Sequence, residues 1–257
     1  MKVEDIKTVG MVGMGVMGRG ISISALLAGY KVIGRDLNDE ILAKAKDDMI
    51  NGRFGMKGAV DRGKITKEQM DNALANLTLT TKLEDFKNID LLIEAIGGAN
   101  PGQLENKDLK LQLFKELDRL VKKEAVFASN TSFFTIRDLA AVTNRKDKFL
   151  GLHFFSPANI MRLVEVIWTP ELSKDVLEAC VAFCQKIGKV PVKVKDMPGD
   201  LGHVGNRIYA AIGQEARKIL DEGVVETPQD IDTVMTLGFN WPIGPMAMGF
   251  GARAGWK

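Results

Sequence analysis

Two groups of residues have the types and the spacing that chemistry requires. The first is His153 and Glu165, each six positions from Asn159 in Phe149-Leu-Gly-Leu-His153-Phe-Phe-Ser156-Pro157-Ala-Asn159-Ile-Met-Arg-Leu163-Val-Glu165-Val-Ile-Trp-Thr169. Two apolar runs flank a loop containing Pro157 and Asn159, a pattern that predicts a hairpin. In a hairpin symmetric about Asn159 the imidazole and the carboxylate face one another, with Cβ atoms about 4.5 to 5.5 Å apart. A carboxylate so placed fixes the tautomer of the ring, orients it and stabilises the imidazolium once a proton has moved. The pair is a candidate acid–base unit. The plainer alternative, a histidine satisfied inside a strand pair, loses ground to the second group of residues.

That second group is Gly13, Gly15 and Gly18 in Thr8-Val-Gly-Met-Val-Gly13-Met-Gly15-Val-Met-Gly18, set between a strand-like and a helix-like stretch. The first glycine permits a tight strand-to-helix turn, the second lets a pyrophosphate approach bare backbone, and the third lets helix pack on strand. The helix N-terminus then offers N–H groups and a partial positive charge to phosphates. Asp36 closes the next apolar run, Lys31-Val-Ile-Gly-Arg35-Asp36, in position to accept from a ribose 2′-hydroxyl and to repel a 2′-phosphate. The candidate cofactor-binding residues are thus Gly13, Gly15, Val16, Met17, Gly18 and Asp36, and the expected cofactor is NAD. Arg35 points the other way, since a base there serves the 2′-phosphate of NADP.

The elements that must position these groups are legible in outline. Apolar strand candidates at residues 7–12, 31–36, 91–96, 125–129 and 149–155 alternate with helical patterns, which predicts a doubly wound, mostly parallel sheet of the α/β class. Thr66-Lys-Glu-Gln69 has the form of a capping box, and residues 51–64, rich in Gly, Lys and Arg, are expected to form a loop projecting from the sheet. After residue 197 the pattern changes. Val204, Ile208, Ile212, Ala216 and Ile219 mark a helical stripe, and Thr227-Pro228 opens another helix. The expected domains are a Rossmann-type nucleotide-binding domain at 1–197 and a smaller, shortened, all-helical domain at 198–257.

Composition bounds the remaining possibilities. With 257 residues, 46% hydrophobic, the chain can bury a sizeable core. A formal charge of +2, from 35 bases scattered among 33 acids, argues against a nucleic-acid partner. No apolar run approaches the ~20 residues of a membrane span, the N-terminus carries no export signal, and a cytoplasmic location is expected. Cys180 and Cys184 lie on the apolar face of a helical pattern and read as packed thiols; neither His153 nor His203 has the spacing to join them, so no metal site is expected.

The chain resembles the L-3-hydroxyacyl-CoA dehydrogenases, including 3-hydroxybutyryl-CoA dehydrogenases. The resemblance runs from residue 7 to about 247. Besides the glycine turn it is carried by Glu94-Ala-Ile96, Glu105-Asn106, Ser129-Asn-Thr-Ser132, Gly151-Leu-His153-Phe-Phe-Ser-Pro157, Leu163-Val-Glu-Val-Ile167, Asp196-Met-Pro-Gly199, Asn206-Arg207, Asp230-Ile-Asp232 and Pro242-Ile-Gly-Pro245. It implies that His153 is the base, Glu165 its partner, Ser132 a hydrogen-bond donor to the substrate oxygen and Asn206 a group aligning substrate and nicotinamide. Glu105 and Asn130 join the cofactor site. It also implies an acyl-CoA substrate, partly covered by the element at 51–75 with Lys57 and Lys64 near its phosphates, and a homodimer.

The chain departs from the family's pattern at several points. Residues 97–104 form a longer connection bordering the cofactor, Asp200 lies in a longer Pro-Gly to Asn-Arg spacing, Ser156 replaces an asparagine, and the segment after Pro245 lacks the family's usual acid. The expected reaction is the NAD-linked interconversion of an L-3-hydroxyacyl-CoA and its 3-ketoacyl-CoA. The alternatives are a weakly active or silent NAD-binding protein of the same fold and a ketoreductase of free hydroxy acids.

Overall fold

Runs that stay apolar until their last residue form the middle of the sheet. Strands Leu91–Glu94 and Val126–Ser129 are buried along their whole length, because both faces of the sheet are covered there, and each ends on a polar side chain, Glu94 and Ser129. The computed structural model describes residues 1–97, 105–199 and 202–250. In chain order the strands are β1 (Thr8–Val12), β2 (Lys31–Arg35), β3 (Leu77–Thr80), β4 (Leu91–Glu94), β5 (Val126–Ser129), β6 (Phe149–Phe154), β7 (Leu163–Trp168) and β8 (Val190–Lys195). They form one sheet in the order β3-β2-β1-β4-β5-β6-β7-β8. Neighbours pair in parallel except β6 with β7. Strand order reverses between β1 and β4, the kind of switch point at whose carboxyl edge open α/β sheets bind ligands.

The helices of this part are α1 (Val16–Leu27), α2 (Asp39–Asn51), α3 (Met56–Asp61), α4 (Lys67–Ala75), α5 (Lys107–Leu120), α6 (Ile136–Ala140) and α7 (Lys174–Lys186). Thr66 and Gln69 close the expected capping box on α4. Residues 51–64 depart from expectation: the projecting loop is instead the end of α2, a tight Gly52–Gly55 link and α3. Met56, fully buried, anchors that helix in the core, a tertiary contact that local composition does not reveal. β3 also lies outside the expected strands. Leu-Thr-Leu-Thr is too short to stand out alone and becomes a strand by pairing with β2 at the sheet margin.

Two hydrophobic layers sandwich the sheet. One holds Met11, Ile21, Ile93, Leu150 and Phe183, the other Val12, Leu92, Phe114, Phe127 and Phe149, following the alternation of adjacent strand residues between faces. Phe114 and Phe149 meet edge to face with centroids 4.7 Å apart, and truncating such a ring costs about 3 to 5 kcal/mol. Cys180 and Cys184 are packed thiols on α7, and burial pushes both upward in pKa, Cys180 to about 12. The other margin of the sheet, β8, carries Pro191 and the exposed Lys193 and Lys195, which suits an edge strand because proline cannot donate to a further neighbour and lysines repel one.

The chain divides into the unit Met1–Asp200, which holds the sheet, and the unit Leu201–Lys257. The second unit is helical, with α8 (Val204–Asp221) and α9 (Pro228–Thr233), the latter opened by a Thr227–Asp230 capping box with proline at its first position. Ala216, Ile231 and Met246 form its small core. Asp232 accepts the backbone N–H groups of Met246 and Ala247 at 2.8 and 3.0 Å, which holds the following segment against α9.

Candidate active site

The antiparallel register of β6 and β7 places His153 directly opposite Glu165. Their side chains meet with Nδ1 2.7 Å from Oε2, and the two residues are 4% and 2% exposed. Two polar groups this deep between apolar strands are tolerated because they satisfy each other. The ring of Phe155 lies 4.6 Å from that of His153, limiting its swing. The loop joining the strands is held from below by Lys189, whose ammonium donates to the carbonyls of Ala158 and Met161 at 2.6 and 2.9 Å. Burial lowers the pKa of Lys189.

At the start of α1 each glycine has a distinct physical reason. Gly13 has φ +91°, and an added Cβ would stand 2.6 Å from the Ala95 carbonyl oxygen. At Gly18 a Cβ would fall 1.8 Å from the carbonyl oxygen of Gly13. At Gly15 it would meet nothing within 4 Å. Gly13 and Gly18 therefore serve the turn itself, while Gly15 is open ground in front of a helix N-terminus. Val16 and Met17 open that helix. Asp36, just after β2, accepts the Met14 N–H on Oδ2 at 2.7 Å and the Leu37 N–H on Oδ1 at 2.8 Å. Arg35 donates from Nε to the Thr81 carbonyl at 3.2 Å, so its guanidinium is tied to the end of β3. A pyrophosphate-accepting turn with an acid beyond the second strand fits NAD: Gly15 and the first turn of α1 would receive the phosphates and Asp36 the ribose.

The polar ends of β4 and β5 continue the site along the same edge. Glu94, fully buried, accepts from Lys110 Nζ at 2.5 Å and the Ile96 N–H at 2.7 Å on one oxygen, and from Ser129 Oγ at 2.5 Å on the other. Lys110, 1% exposed, also lies 3.2 Å from Glu105 Oε2. The other Glu105 oxygen accepts the N–H of Ser132 at 2.6 Å. Asn130 accepts the N–H of Phe154 on its side chain at 2.8 Å, which fastens the end of β5 to the strand carrying His153. Sequence reasoning passed over Lys110, and Glu94 entered it only within a motif. The signal was present: a lysine in the apolar stripe Lys110, Leu113, Phe114, Leu117 of α5, and an acid closing an apolar strand.

Ser132, Asn130, Glu105, His153, Glu165, Asp36 and the glycine turn all belong to the first unit, whereas Asn206 lies in the first turn of α8, in the second. Most of the 97–104 connection, and Asp200 in the Pro-Gly to Asn-Arg spacing, fall outside the described residues. Much of the segment after Pro245 falls outside them as well. Lys57 lies on α3 and Lys64 just before α4, and the Asn159 side-chain amide donates to the Phe54 carbonyl, ahead of α3, at 2.7 Å. Among the described residues no three His, Cys, Asp or Glu side chains gather as a metal-ligand set, and no helix is long and apolar enough to cross a membrane.

A buried imidazole–carboxylate pair and a dinucleotide turn on one doubly wound sheet define a class, the nicotinamide-dependent oxidoreductases. Residues 8–197 match the model of the 3-hydroxyacyl-CoA dehydrogenase NAD binding domain, and residues 202–251 match that of the 3-hydroxyacyl-CoA dehydrogenase C-terminal domain. The chain belongs to the 3-hydroxyacyl-CoA dehydrogenase family, and NAD is its cofactor. It is 37% identical over 246 residues to the mitochondrial hydroxyacyl-coenzyme A dehydrogenase of Rattus norvegicus, covering 95% of this chain and 75% of that one. Against a probable 3-hydroxybutyryl-CoA dehydrogenase of Deinococcus radiodurans it is 37% identical, with 93% and 81% covered. The crystal structure of (S)-3-hydroxybutyryl-CoA dehydrogenase from Ralstonia eutropha superposes with a TM-score of 0.86 at 37% identity, over 95% of this chain and 81% of that one.

Proposed function

We propose that the protein interconverts an L-3-hydroxyacyl-CoA and the corresponding 3-ketoacyl-CoA, with His153 as the acid–base group. The observation that carries this reading is the buried 2.7 Å contact between His153 Nδ1 and Glu165 Oε2. With Nδ1 given to the carboxylate, Nε2 is the nitrogen assigned to the substrate: it takes the hydroxyl proton during oxidation and returns it during reduction. Glu165 holds the tautomer and stabilises the imidazolium that results. NAD, when bound, supplies the hydride acceptor.

Ser132 donates its hydroxyl to the substrate's C3 oxygen in this scheme. Its loop is held for that task by Glu105 at the backbone and, through Asn130, by β6. Asn206 aligns substrate and nicotinamide, and Lys57 and Lys64 meet the phosphates of CoA. The reading extends to a homodimer in the cytoplasm. Leu237 and Phe239, apolar yet 83% and 69% exposed in the helical unit, support a partner surface there.

The test follows NADH absorbance in the presence of acetoacetyl-CoA. Wild-type protein is expected to consume NADH, and His153→Gln to lose about 10² to 10⁴ in rate while still binding the cofactor. Binding without turnover across acyl-CoA lengths would overturn the reading.

A further inference from the structure

One lysine grips both limbs of the loop that joins the strands of His153 and Glu165. Ala158 lies five residues after His153 and Met161 four residues before Glu165, and the carbonyl of each accepts from the Lys189 ammonium, at 2.6 and 2.9 Å. The root of that side chain is itself fixed. Lys189 directly precedes β8, and its backbone N–H donates to the Cys184 carbonyl near the end of α7 at 2.9 Å. The residue is buried, yet among the described residues no carboxylate pairs with it. A buried ammonium without a counter-charge is a poor device for stability, since it is desolvated and only dipoles meet it. What this one achieves is a hold on two chosen oxygens.

Those oxygens belong to a loop wedged against the nucleotide helix. Ala158, buried, faces Gly20 of α1: a Cβ added at Gly20 would stand 3.0 Å from the Ala158 Cβ and 3.1 Å from the Asn159 nitrogen. The helix and the loop approach so closely there that no side chain lies between them to absorb a shift. Gly20 follows Gly15, the open position before α1, by five residues. The loop therefore stands between two supports, α1 on one side and Lys189 on the other. Its place governs how far the His153 ring stands from a nucleotide seated on α1.

We propose that Lys189 is a positioning residue: by fixing the Ala158–Met161 loop against α1 it sets the distance from His153 to the bound nicotinamide, and with it the rate of hydride transfer. The proposal rests on the dehydrogenase reading above. In the reducing direction NADH gives its hydride to the carbonyl carbon while His153 gives its proton to the carbonyl oxygen. Lys189 touches neither partner and acts only through the loop.

The test is a single turnover, in which protein saturated with NADH is mixed with acetoacetyl-CoA and the rate constant and amplitude of NADH loss are read separately. A partly unfolded variant loses amplitude and keeps the rate constant; a misplaced base loses rate and keeps the amplitude. Lys189→Met, of similar length but without a donor, is expected to keep the wild-type amplitude and to slow about tenfold or more. Lys189→Ala is expected to slow likewise and to regain most of its rate with n-propylammonium, the piece removed. That ion can enter through the open cavity of about 540 Å³ that Lys189 lines with Leu27, Ile160 and Ile187. Tetramethylammonium, equally charged but without a donor, is expected to leave the variant slow. Gly20→Ala presses on the loop from the opposite side and is expected to slow the transfer with Lys189 intact, so it carries the test if the lysine variants do not fold. A wild-type rate in Lys189→Met, a loss confined to amplitude, or no response of Lys189→Ala to n-propylammonium overturns the positioning role. With the lysine variants unfolded, a wild-type rate in Gly20→Ala overturns it. Wild-type protein that binds NADH without turning over would overturn the dehydrogenase reading instead, and the positioning role with it.

Discussion

Met14 and Asp36 are joined across the nucleotide turn, the Met14 N–H donating to Asp36 Oδ2 at 2.7 Å. The acid that reads the ribose therefore also braces the turn that reads the phosphates. Asp36→Asn keeps one oxygen for the Met14 N–H and gives up the charge and the acceptor of the Leu37 N–H, so NADP binding relative to NAD is expected to improve about tenfold with a smaller loss of melting temperature than full truncation causes. Asp36→Ala loses the brace as well, and is expected to melt lower by about 1 kcal/mol and to bind both cofactors more weakly. Equal behaviour of the two variants in titration and melting would contradict the double duty.

Gly15 and Gly18 separate folding from binding. Gly15→Ala adds a methyl group to open space on ordinary backbone, so the protein is expected to melt as wild type while NAD affinity falls tenfold or more, the methyl occupying the phosphates' approach. Gly18→Ala drives a methyl into the Gly13 carbonyl, and loss of stability is expected along with loss of binding. Parallel scanning calorimetry and NAD titration of the two proteins make the comparison.

Glu165→Gln preserves shape and removes the charge facing His153. Turnover with acetoacetyl-CoA is expected to fall by about 10² or more, with NAD binding unchanged within about twofold. Full activity in this variant would reduce the pair to a structural contact.

Arg145 is 3% exposed and binds five acceptors: Asp118 Oδ1 and the carbonyls of Asp118, Val121, Lys122 and Ala125. It also lies 4.0 Å over the ring of Phe127. Arg145→Ala is expected to cost about 3 to 5 kcal/mol in urea melts, since Asp118 is left unpaired. The Asp118 carboxyl sits below its usual pKa. Burial, the largest influence, acts to raise it, and the hydrogen bonds from Asn144 and Arg145 together outweigh burial. A carboxyl more acidic folded than unfolded adds stability above its unfolded value and loses it as the pH falls through the folded one. Between about pH 5 and pH 3 wild-type protein is therefore expected to lose stability more steeply than Asp118→Asn.

The sequence made visible those parts of the molecule whose cause is local or periodic. The glycine turn, the capping box at Thr66, the helix start at Thr227-Pro228, the hairpin that opposes His153 to Glu165 and the parallel core strands all follow from patterns a few residues long. What stayed hidden depends on partners distant in the chain. Helix α3 is held by the burial of Met56, β3 by its pairing with β2, and Lys110 by an acid sixteen residues away at the end of another element. Arg145 likewise looks like an ordinary surface base until the fold brings five oxygens around it.

Cys180 and Cys184 have a practical consequence. With both thiols enclosed, and Cys180 titrating only at about 12, almost no thiolate exists at neutral pH for an alkylating reagent to find. The native chain is thus silent toward maleimides, and a cysteine introduced on either unit would be its single label, ready for spectroscopic reporting of ligand binding.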